Sequence, residues 1–211
     1  MVRRAIPLLL LVLSAGCSWL GGWFGGSDNA IPPAALKTIA QPVNVQQLWE
    51  TRVGAGTEDQ FIRLIPALAD GRIYAASHDG TVMALDALSG QRLWEVNTKL
   101  PISGGVGLSG NELVLVGTDK GQVAALRQAD GQEAWRATVS SEVLAPPRAA
   151  SGIVVVRTGD GKFTGLDARS GERRWTYAHA MPALSLRGNA PPLLPRTLVI
   201  AGLDTGKLLV L

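Results

Sequence analysis

Short apolar stretches separated by glycine-containing turns recur along the chain from about residue 61 onward. In three successive segments, 70–98, 110–139 and 152–179, two apolar stretches joined by a glycine turn precede a third stretch that carries a tryptophan. Apolar runs of this length, bounded by turn residues, are typical of β-strands. The pattern therefore predicts an all-β fold made of repeated antiparallel units.

Glycine and tryptophan positions define the length of the repeat. Successive turn glycines are separated by 41, 40 and 45 residues, and in the first three units a tryptophan comes fourteen residues after the turn glycine. These residues are Gly80, Gly121, Gly161 and Gly206, with Trp94, Trp135 and Trp175. A period near 40 residues, with three or four short strands per unit, is typical of β-propeller blades. We expect the glycines to adopt positive φ in tight hairpins, and the tryptophans to pack on the neighbouring blade.

The first long strand of each unit is expected to pack between blades, because one small twisted sheet cannot cover both of its own faces. The interior positions predicted on these strands are Ile73 and Ala75, with Leu113, Leu115, Val154 and Val156 as their equivalents.

The repeat predicts a partial β-propeller domain at 45–211, with four-stranded antiparallel blade units at about 61–98, 102–139, 143–179 and 190–211. Trp49 belongs to the tryptophan set, but neither a turn glycine nor earlier strands precede it. Segment 45–53 is therefore predicted to be a lone outer strand, which closes a blade formed by the far end of the chain. The fourth unit stops before its tryptophan strand, so we expect about three and a half blades of a larger propeller, with unpaired edges.

The first residues have the organisation of a bacterial secretion signal. Two arginines precede an apolar stretch at 6–13, and small residues then lead directly to Cys17, the only cysteine. The apolar stretch is too short for a membrane-spanning helix of about 20 residues. We predict a signal peptide at 1–16, lipidation of Cys17 and a flexible tether over 17–44. The alternative is an ordinary signal peptide cut elsewhere, with Cys17 left as a free thiol.

Composition and charge exclude several classes of function. The net charge is +3 and no basic stripe interleaves with aromatic residues, so we predict no nucleic-acid partner. The single cysteine excludes a disulfide framework and a cysteine-ligated zinc site, and the two histidines, His78 and His179, lack metal-ligand spacing. The sequence contains no evident Ser/His/Asp arrangement, phosphate loop or dinucleotide motif. We predict no catalytic residue, no metal and no cofactor.

The longest interval of the repeat indicates an inserted loop. The third and fourth turn glycines are 45 residues apart rather than 40 or 41, and the extra residues fall within 180–195. Insertions in repeat proteins map to loops, and loops on a rigid scaffold often carry function. Leu184, Leu186 and Arg187 are candidate partner-binding residues, because arginine and exposed apolar side chains mark interfaces. The alternative is that the two leucines plug the propeller funnel.

The repeat itself resembles that of a class of enzymes. The segment Ala-Leu-Asp-Ala-x-Ser-Gly-x-x-x-Trp at 84–94 is similar to the blade motif of quinoprotein dehydrogenases, which bind pyrroloquinoline quinone at the propeller centre. This resemblance implies a periplasmic quinone-dependent enzyme as one alternative. Against it stand the lipoprotein-like start and the lack of adjacent cysteines, and a fold alone does not fix a function.

A second resemblance covers nearly the whole chain. The lipoprotein start, Val-Gln-Gln-Leu-Trp at 45–49, Pro-Ala-Leu-Ala-Asp at 66–70 and the loop Met-Pro-Ala-Leu-Ser-Leu-Arg-Gly at 181–188 together resemble the BamB family of Gram-negative bacteria. The resemblance implies an eight-bladed, non-catalytic propeller, lipid-anchored at the periplasmic face of the outer membrane.

In that family, the propeller docks on the periplasmic POTRA domains of BamA. It is part of the outer-membrane β-barrel assembly (BAM) complex and assists the folding and insertion of nascent outer-membrane proteins. The resemblance implies Leu184, Leu186 and Arg187 as the docking residues of this chain. A propeller scaffold for another envelope partner remains an alternative.

Overall fold

The computed structural model describes residues 34–37, 43–110, 112–184 and 190–211. The chain divides into two compact units, Met1–Val45 and Gln46–Leu211. The described residues of the first unit have no regular secondary structure, and the predicted signal peptide and Cys17 lie outside the described residues. In the described part of the second unit every regular element is a β-strand. None of the described residues forms a helix with the length and apolar character needed to span a membrane.

The second unit consists of consecutive small antiparallel sheets, which confirms the all-β fold with propeller blades. It begins with the short strand β1 (Arg63–Leu64). Blade 1 contains β2 (Ala67–Ala69), β3 (Arg72–Ala76), β4 (Thr81–Asp86) and β5 (Arg92–Asn97). Blade 2 contains β6 (Ile102–Ser109), β7 (Leu113–Thr118), β8 (Gln122–Arg127) and β9 (Glu133–Thr138). Blade 3 contains β10 (Arg148–Ala150), β11 (Ile153–Arg157), β12 (Lys162–Asp167) and β13 (Arg173–Ala178), and the two strands of blade 4 are β14 (Ile200–Gly202) and β15 (Leu208–Val210).

Glycines make the turn between the second and third strand of each blade possible. The four turn glycines have φ between +69° and +92°, a region that other residues rarely adopt. At Gly80 a side chain would also meet the chain that leaves the blade, because a Cβ there would lie 2.9 Å from the carbonyl oxygen of Leu100.

The core lies between the blades. The cluster between blades 1 and 2 includes Tyr74, Ala76, Val114 and Val116. The cluster between blades 2 and 3 includes Leu113, Leu115, Val154 and Val156. Neighbouring residues of β7 therefore face opposite blades, as the alternation of side chains along a strand requires.

The predicted equivalence of the interior positions is wrong by one residue in blade 2. Ile73 pairs with Leu85, and the corresponding partner of Leu126 is Val114 rather than Leu113. Val114 and Val116 are thus the equivalents of Ile73 and Ala75. The spacing to the turn glycines gives the correct register, since Ile73 and Val114 each lie seven residues before one. Alternation gave no check on it, because β7 is apolar on both faces.

Segment 45–53 is not a strand in the structure, contrary to the prediction. A β-strand is defined by hydrogen bonds to a partner strand, and no described strand pairs with this segment. Its tryptophan nevertheless packs on blade 1, in a cluster that contains Trp49, Val53, Ala75, Met83 and Leu85. Trp49 and Val53 thus pack on the face of blade 1 that points away from blade 2.

A pairing that the sequence did not indicate holds the entry to blade 1. Strand β1 runs parallel to β6, the first strand of blade 2, with Arg63 opposite Gly104 and Leu64 opposite Gly105. The N–H of Val106 extends the contact by donating a 2.8 Å hydrogen bond to the carbonyl oxygen of Ile65. The residues before blade 1 are therefore fixed against blade 2.

Candidate partner-binding face

The connections between blades start at the same end of each blade as the turn glycines. In each of blades 1 to 3 the residue that leaves the fourth strand donates its backbone N–H to the carbonyl oxygen of the turn glycine. The pairs are Thr98 to Gly80 at 2.9 Å, Val139 to Gly121 at 2.8 Å and His179 to Gly161 at 3.4 Å. We call the surface formed by these turns and connections the connection face. The inserted segment starts from this face, because Met181 packs against the turn glycine Gly161.

The connection from blade 2 to blade 3 folds into the gap between those blades. Val143 is fully buried, and its N–H donates a 2.8 Å hydrogen bond to the carbonyl oxygen of Thr118. The Ser103 hydroxyl donates to the carbonyl oxygen of Val143 at 2.8 Å. The valine side chain fills the space over Gly117, where an added Cβ would collide with it. This connection is therefore part of the core and offers little surface to a partner.

The connection from blade 3 to blade 4 is different, because it carries an exposed apolar residue. Leu184 is 92% exposed. Leu186 and Arg187, the other two candidate residues, lie outside the described residues, which resume at Ala190. The structure therefore places Leu184 on the connection face and leaves the arrangement of the three residues as a prediction.

Both ends of this connection rest on blades. At its start, a Cβ on Gly161 would lie 2.6 Å from the Met181 side chain, and the His179 ring lies 6.1 Å from the Phe163 ring between centroids. At its end, Leu193 and Ile200 exchange backbone hydrogen bonds of 2.8 and 2.9 Å. The exposed leucine thus belongs to a segment that is fixed on blade 3 at one end and blade 4 at the other.

A buried arginine beneath this connection was not singled out from the sequence. Arg157, the last residue of β11, is only 3% exposed. Its guanidinium donates to the carbonyl oxygen of Gly202 at 2.9 Å and forms an ion pair of 3.2 Å with Asp204. Alignment of the repeat units on their turn glycines could have identified this arginine, because the equivalent residues, four places before the other turn glycines, are small: Ala76, Gly117 and Gly202.

The repeat tryptophans lie between blades rather than on the connection face. Three of them donate their indole N–H to a backbone carbonyl in the blade that follows, at 3.1, 2.8 and 2.9 Å. The pairs are Trp49 to Ala87, Trp94 to Gln128 and Trp135 to Ala168. Trp175 packs against a cluster that includes Phe163 and Val199. The three hydrogen bonds and the packing of Trp175 join each blade to the next and fix the spacing of the blades.

Acidic residues of the turns are engaged within the connection face. Burial raises the pKa of Asp79, but hydrogen bonds from Thr81, Ser77 and Ala55 outweigh it, so its pKa lies below the usual value. Burial also raises the pKa of Asp160, but hydrogen bonds from Lys162, Thr158 and Ser140 outweigh it, so the pKa of this residue too lies below its usual value. In the part of the chain that the structure describes, no group of three or more His, Cys, Asp or Glu residues could hold a metal ion.

Comparison with known proteins gives a consistent result. A family model described as outer membrane protein assembly factor BamB matches residues 43–101 and 78–211. The curated protein of that name from Xanthomonas campestris pv. campestris is 43% identical over 99% of this chain and 55% of the relative. Those from Nitrosomonas eutropha and Escherichia coli K12 are 38% and 35% identical, over 99% and 95% of this chain and 52% of each relative. The chain spans about half the length of these curated relatives.

Solved structures agree with the fold. BamB from Moraxella catarrhalis matches with a TM-score of 0.66 and 33% identity, over 70% of this chain and 45% of that chain. The computationally designed Ika4 protein matches with a TM-score of 0.60 over 80% of this chain and 98% of that chain, but at 20% identity this likeness shows the fold alone. Since the family model covers most of the sequence and relatives of one name match nearly all of it, the chain belongs to the family of the outer membrane protein assembly factor BamB.

Proposed function

We propose that this chain is part of a non-catalytic scaffold lipoprotein of the BAM complex, which assists the folding and insertion of nascent outer-membrane proteins. Its place is the periplasmic face of the outer membrane, where acyl chains on Cys17 anchor it. The proposed partners are the POTRA domains of BamA. The names of the relatives support a role in outer-membrane protein assembly.

The proposed docking site is the connection between blades 3 and 4, with Leu184, Leu186 and Arg187 as the contact residues. The observation that carries this proposal is the exposure of Leu184 on a connection whose two ends rest on packed blades. A single exposed leucine is common on protein surfaces. Here the leucine lies on the connection that is longer than the others in the repeat. The blades that hold the two ends of this connection are already packed, which reduces the ordering that binding requires.

The chemistry of the three side chains fits a protein interface. Two leucines supply apolar area that is buried on contact, and a guanidinium forms paired, charge-assisted hydrogen bonds with a carboxylate of the partner. Truncation of such a residue at an interface centre typically costs about 1–3 kcal/mol. That range corresponds to an affinity loss of roughly 5- to 150-fold.

The test is a binding titration of the full-length, lipid-free protein against the isolated POTRA domains of BamA. We expect Leu184→Ala, Leu186→Ala and Arg187→Ala each to weaken binding by roughly 5- to 150-fold, with the melting temperature unchanged. Two matched controls lie in turns at the opposite end of the blades: Leu88→Ala, at a leucine that is 83% exposed, and Arg169→Ala, at an exposed arginine. Both controls are expected to bind like the wild type.

Two outcomes would contradict the proposal. Loop variants that bind as tightly as the controls would remove the docking site from this connection. A folded wild type that does not bind the POTRA domains, but binds pyrroloquinoline quinone and oxidises an alcohol, would favour the quinoprotein alternative.

A further inference from the structure

Strand β11 ends in a buried charge at a position where the other blades have almost no side chain. Arg157 lies four residues before its turn glycine, and the same position is Ala76 in blade 1, Gly117 in blade 2 and Gly202 in blade 4. Burying a guanidinium is costly unless it is paired and hydrogen-bonded. Only blade 3 has this charge, and blade 3 is also the blade that precedes the lengthened connection.

The contacts of Arg157 cross from blade 3 to blade 4 and to the connection. One Nη donates to the carbonyl oxygen of Gly202 at 2.9 Å and lies 3.5 Å from that of Ala190. The other lies 3.2 Å from a carboxylate oxygen of Asp204. The guanidinium carbon is 5.6 Å from the centre of the Phe163 ring, the ring that His179 also contacts. One side chain therefore contacts blade 3, blade 4 and the exit of the connection.

The preceding connection shows what the arginine replaces. Between blades 2 and 3, Gly117 leaves a space that Val143 of the connection fills, so this connection is drawn into the core. Between blades 3 and 4 the position equivalent to Gly117 is Arg157, whose side chain occupies the corresponding gap. At its exit, the backbone of this connection contacts the guanidinium through the carbonyl oxygen of Ala190.

We propose that Arg157 is a positioning residue, which ties the exit of the connection at Ala190, together with Gly202 and Asp204 of blade 4, to the end of β11. Because Leu184 lies on the same connection, fixing the exit of the connection helps to present this leucine to a partner. The inference rests on the proposed function for the identity of that partner, but the positioning itself is a property of this chain. The planar guanidinium suits the task, because it directs several donors at once to separate carbonyl and carboxylate oxygens.

The first test measures local order by hydrogen–deuterium exchange of the full-length protein. In Arg157→Met, we expect the backbone amides of 180–193 to exchange about tenfold faster, while those of β7 and β8 in blade 2 keep their rates. Arg157→Lys keeps the charge without the planar fork and is expected to restore part of the protection. Arg174→Met is the matched control, since it removes an exposed arginine of the same blade that pairs with Asp167 at 2.8 Å.

The second test measures POTRA binding by the same variants. We expect Arg157→Met to weaken binding about tenfold and Arg174→Met to leave it unchanged. Unchanged exchange at 180–193 in Arg157→Met, or exchange that rises equally throughout all blades, would overturn the proposal, the latter because it shows a role in overall folding only. If the wild type does not bind POTRA domains while Arg157→Met still frees 180–193, the proposed function fails and the positioning role stands.

Discussion

The indole N–H of Trp94 in blade 1 donates a hydrogen bond of 2.8 Å to the carbonyl oxygen of Gln128 in blade 2. The Trp94 ring lies on Gly131, where an added Cβ would be 2.6 Å from the ring. The contact from Trp135 to Ala168 and Gly171 repeats this arrangement in the following pair of blades. Blade 2 therefore carries both a tryptophan that contacts the next blade and a glycine on which the tryptophan of the preceding blade packs.

This contact predicts that Gly131→Ala destabilises the protein more than Gly152→Ala, a substitution with a similar backbone conformation. Gly131 has φ +74° and Gly152 has φ +78°, but a Cβ on Gly152 would meet nothing within 4 Å. Both alanine variants should lose about 1–2 kcal/mol from the left-handed backbone, and Gly131→Ala about 1–3 kcal/mol more from the collision with Trp94. Denaturant unfolding of the full-length protein measures both losses, and equal losses would contradict this view of the contact.

Acid is expected to weaken the turn at Asp167. The Arg174 side chain and the backbone N–H groups of Arg169 and Ser170 lower the pKa of Asp167 to about 2, from an ordinary value of 3.8. Because the folded-state pKa is the lower one, the stabilisation is present above pH 3.8 and is lost as the pH falls towards 2. The melting temperatures of wild type and Asp167→Asn should therefore converge between about pH 4 and pH 2. A gap that stays constant over this range would contradict the assignment.

The isolated 211-residue chain is expected to self-associate. Leu68 in β2, Leu208 in β15 and Val210 in β15 are 68%, 71% and 53% exposed, so apolar side chains and unpaired strand edges are open to water. Light scattering of this chain, purified without further sequence, should show concentration-dependent oligomers. A monomer with one sharp, cooperative unfolding transition would be the contrary result.

The proposed lipidation of Cys17 predicts that the protein is membrane-bound and that substitution of this cysteine releases it from the membrane. In cells, the wild type should take up labelled palmitate and sediment with the outer membrane, because several acyl chains at one site give stable membrane residence. Cys17→Ser should lose the label and no longer be held by the membrane. Since Cys17 is the only cysteine of the chain, a label that persists in Cys17→Ser would show that the anchor is elsewhere.

The repeat predicted the fold because its marks are local. Gly80, with φ +92°, and Trp94, fourteen residues later, recur at the same spacing in the following units, so both could be recognised in the sequence. The pairing of β1 with β6 joins two short segments about 40 residues apart, with the whole of blade 1 between them, and no local pattern predicts it. The strand predicted at 45–53 failed for a related reason, since strand composition does not supply a partner strand.

The candidate site was predicted only in part. The longer interval between Gly161 and Gly206 identified the connection, and the structure adds that Leu184 is exposed on it. Arg157 stands out only when the units are aligned on their turn glycines, because an arginine at the end of an apolar strand is unremarkable by itself. Its importance follows from burial and from its contacts with Gly202 and Asp204, which are distant in sequence.

The most direct test of the account is site-specific photocrosslinking in living cells of the source organism. A photoreactive amino acid is placed at position 184 of the full-length protein, and at position 88 as the control at the opposite end of the blades. We expect position 184 to crosslink to BamA, within its POTRA domains, and position 88 to give no such product. Equal crosslinking from both positions, or crosslinking of position 184 to a different protein with none to BamA, would contradict the central claim.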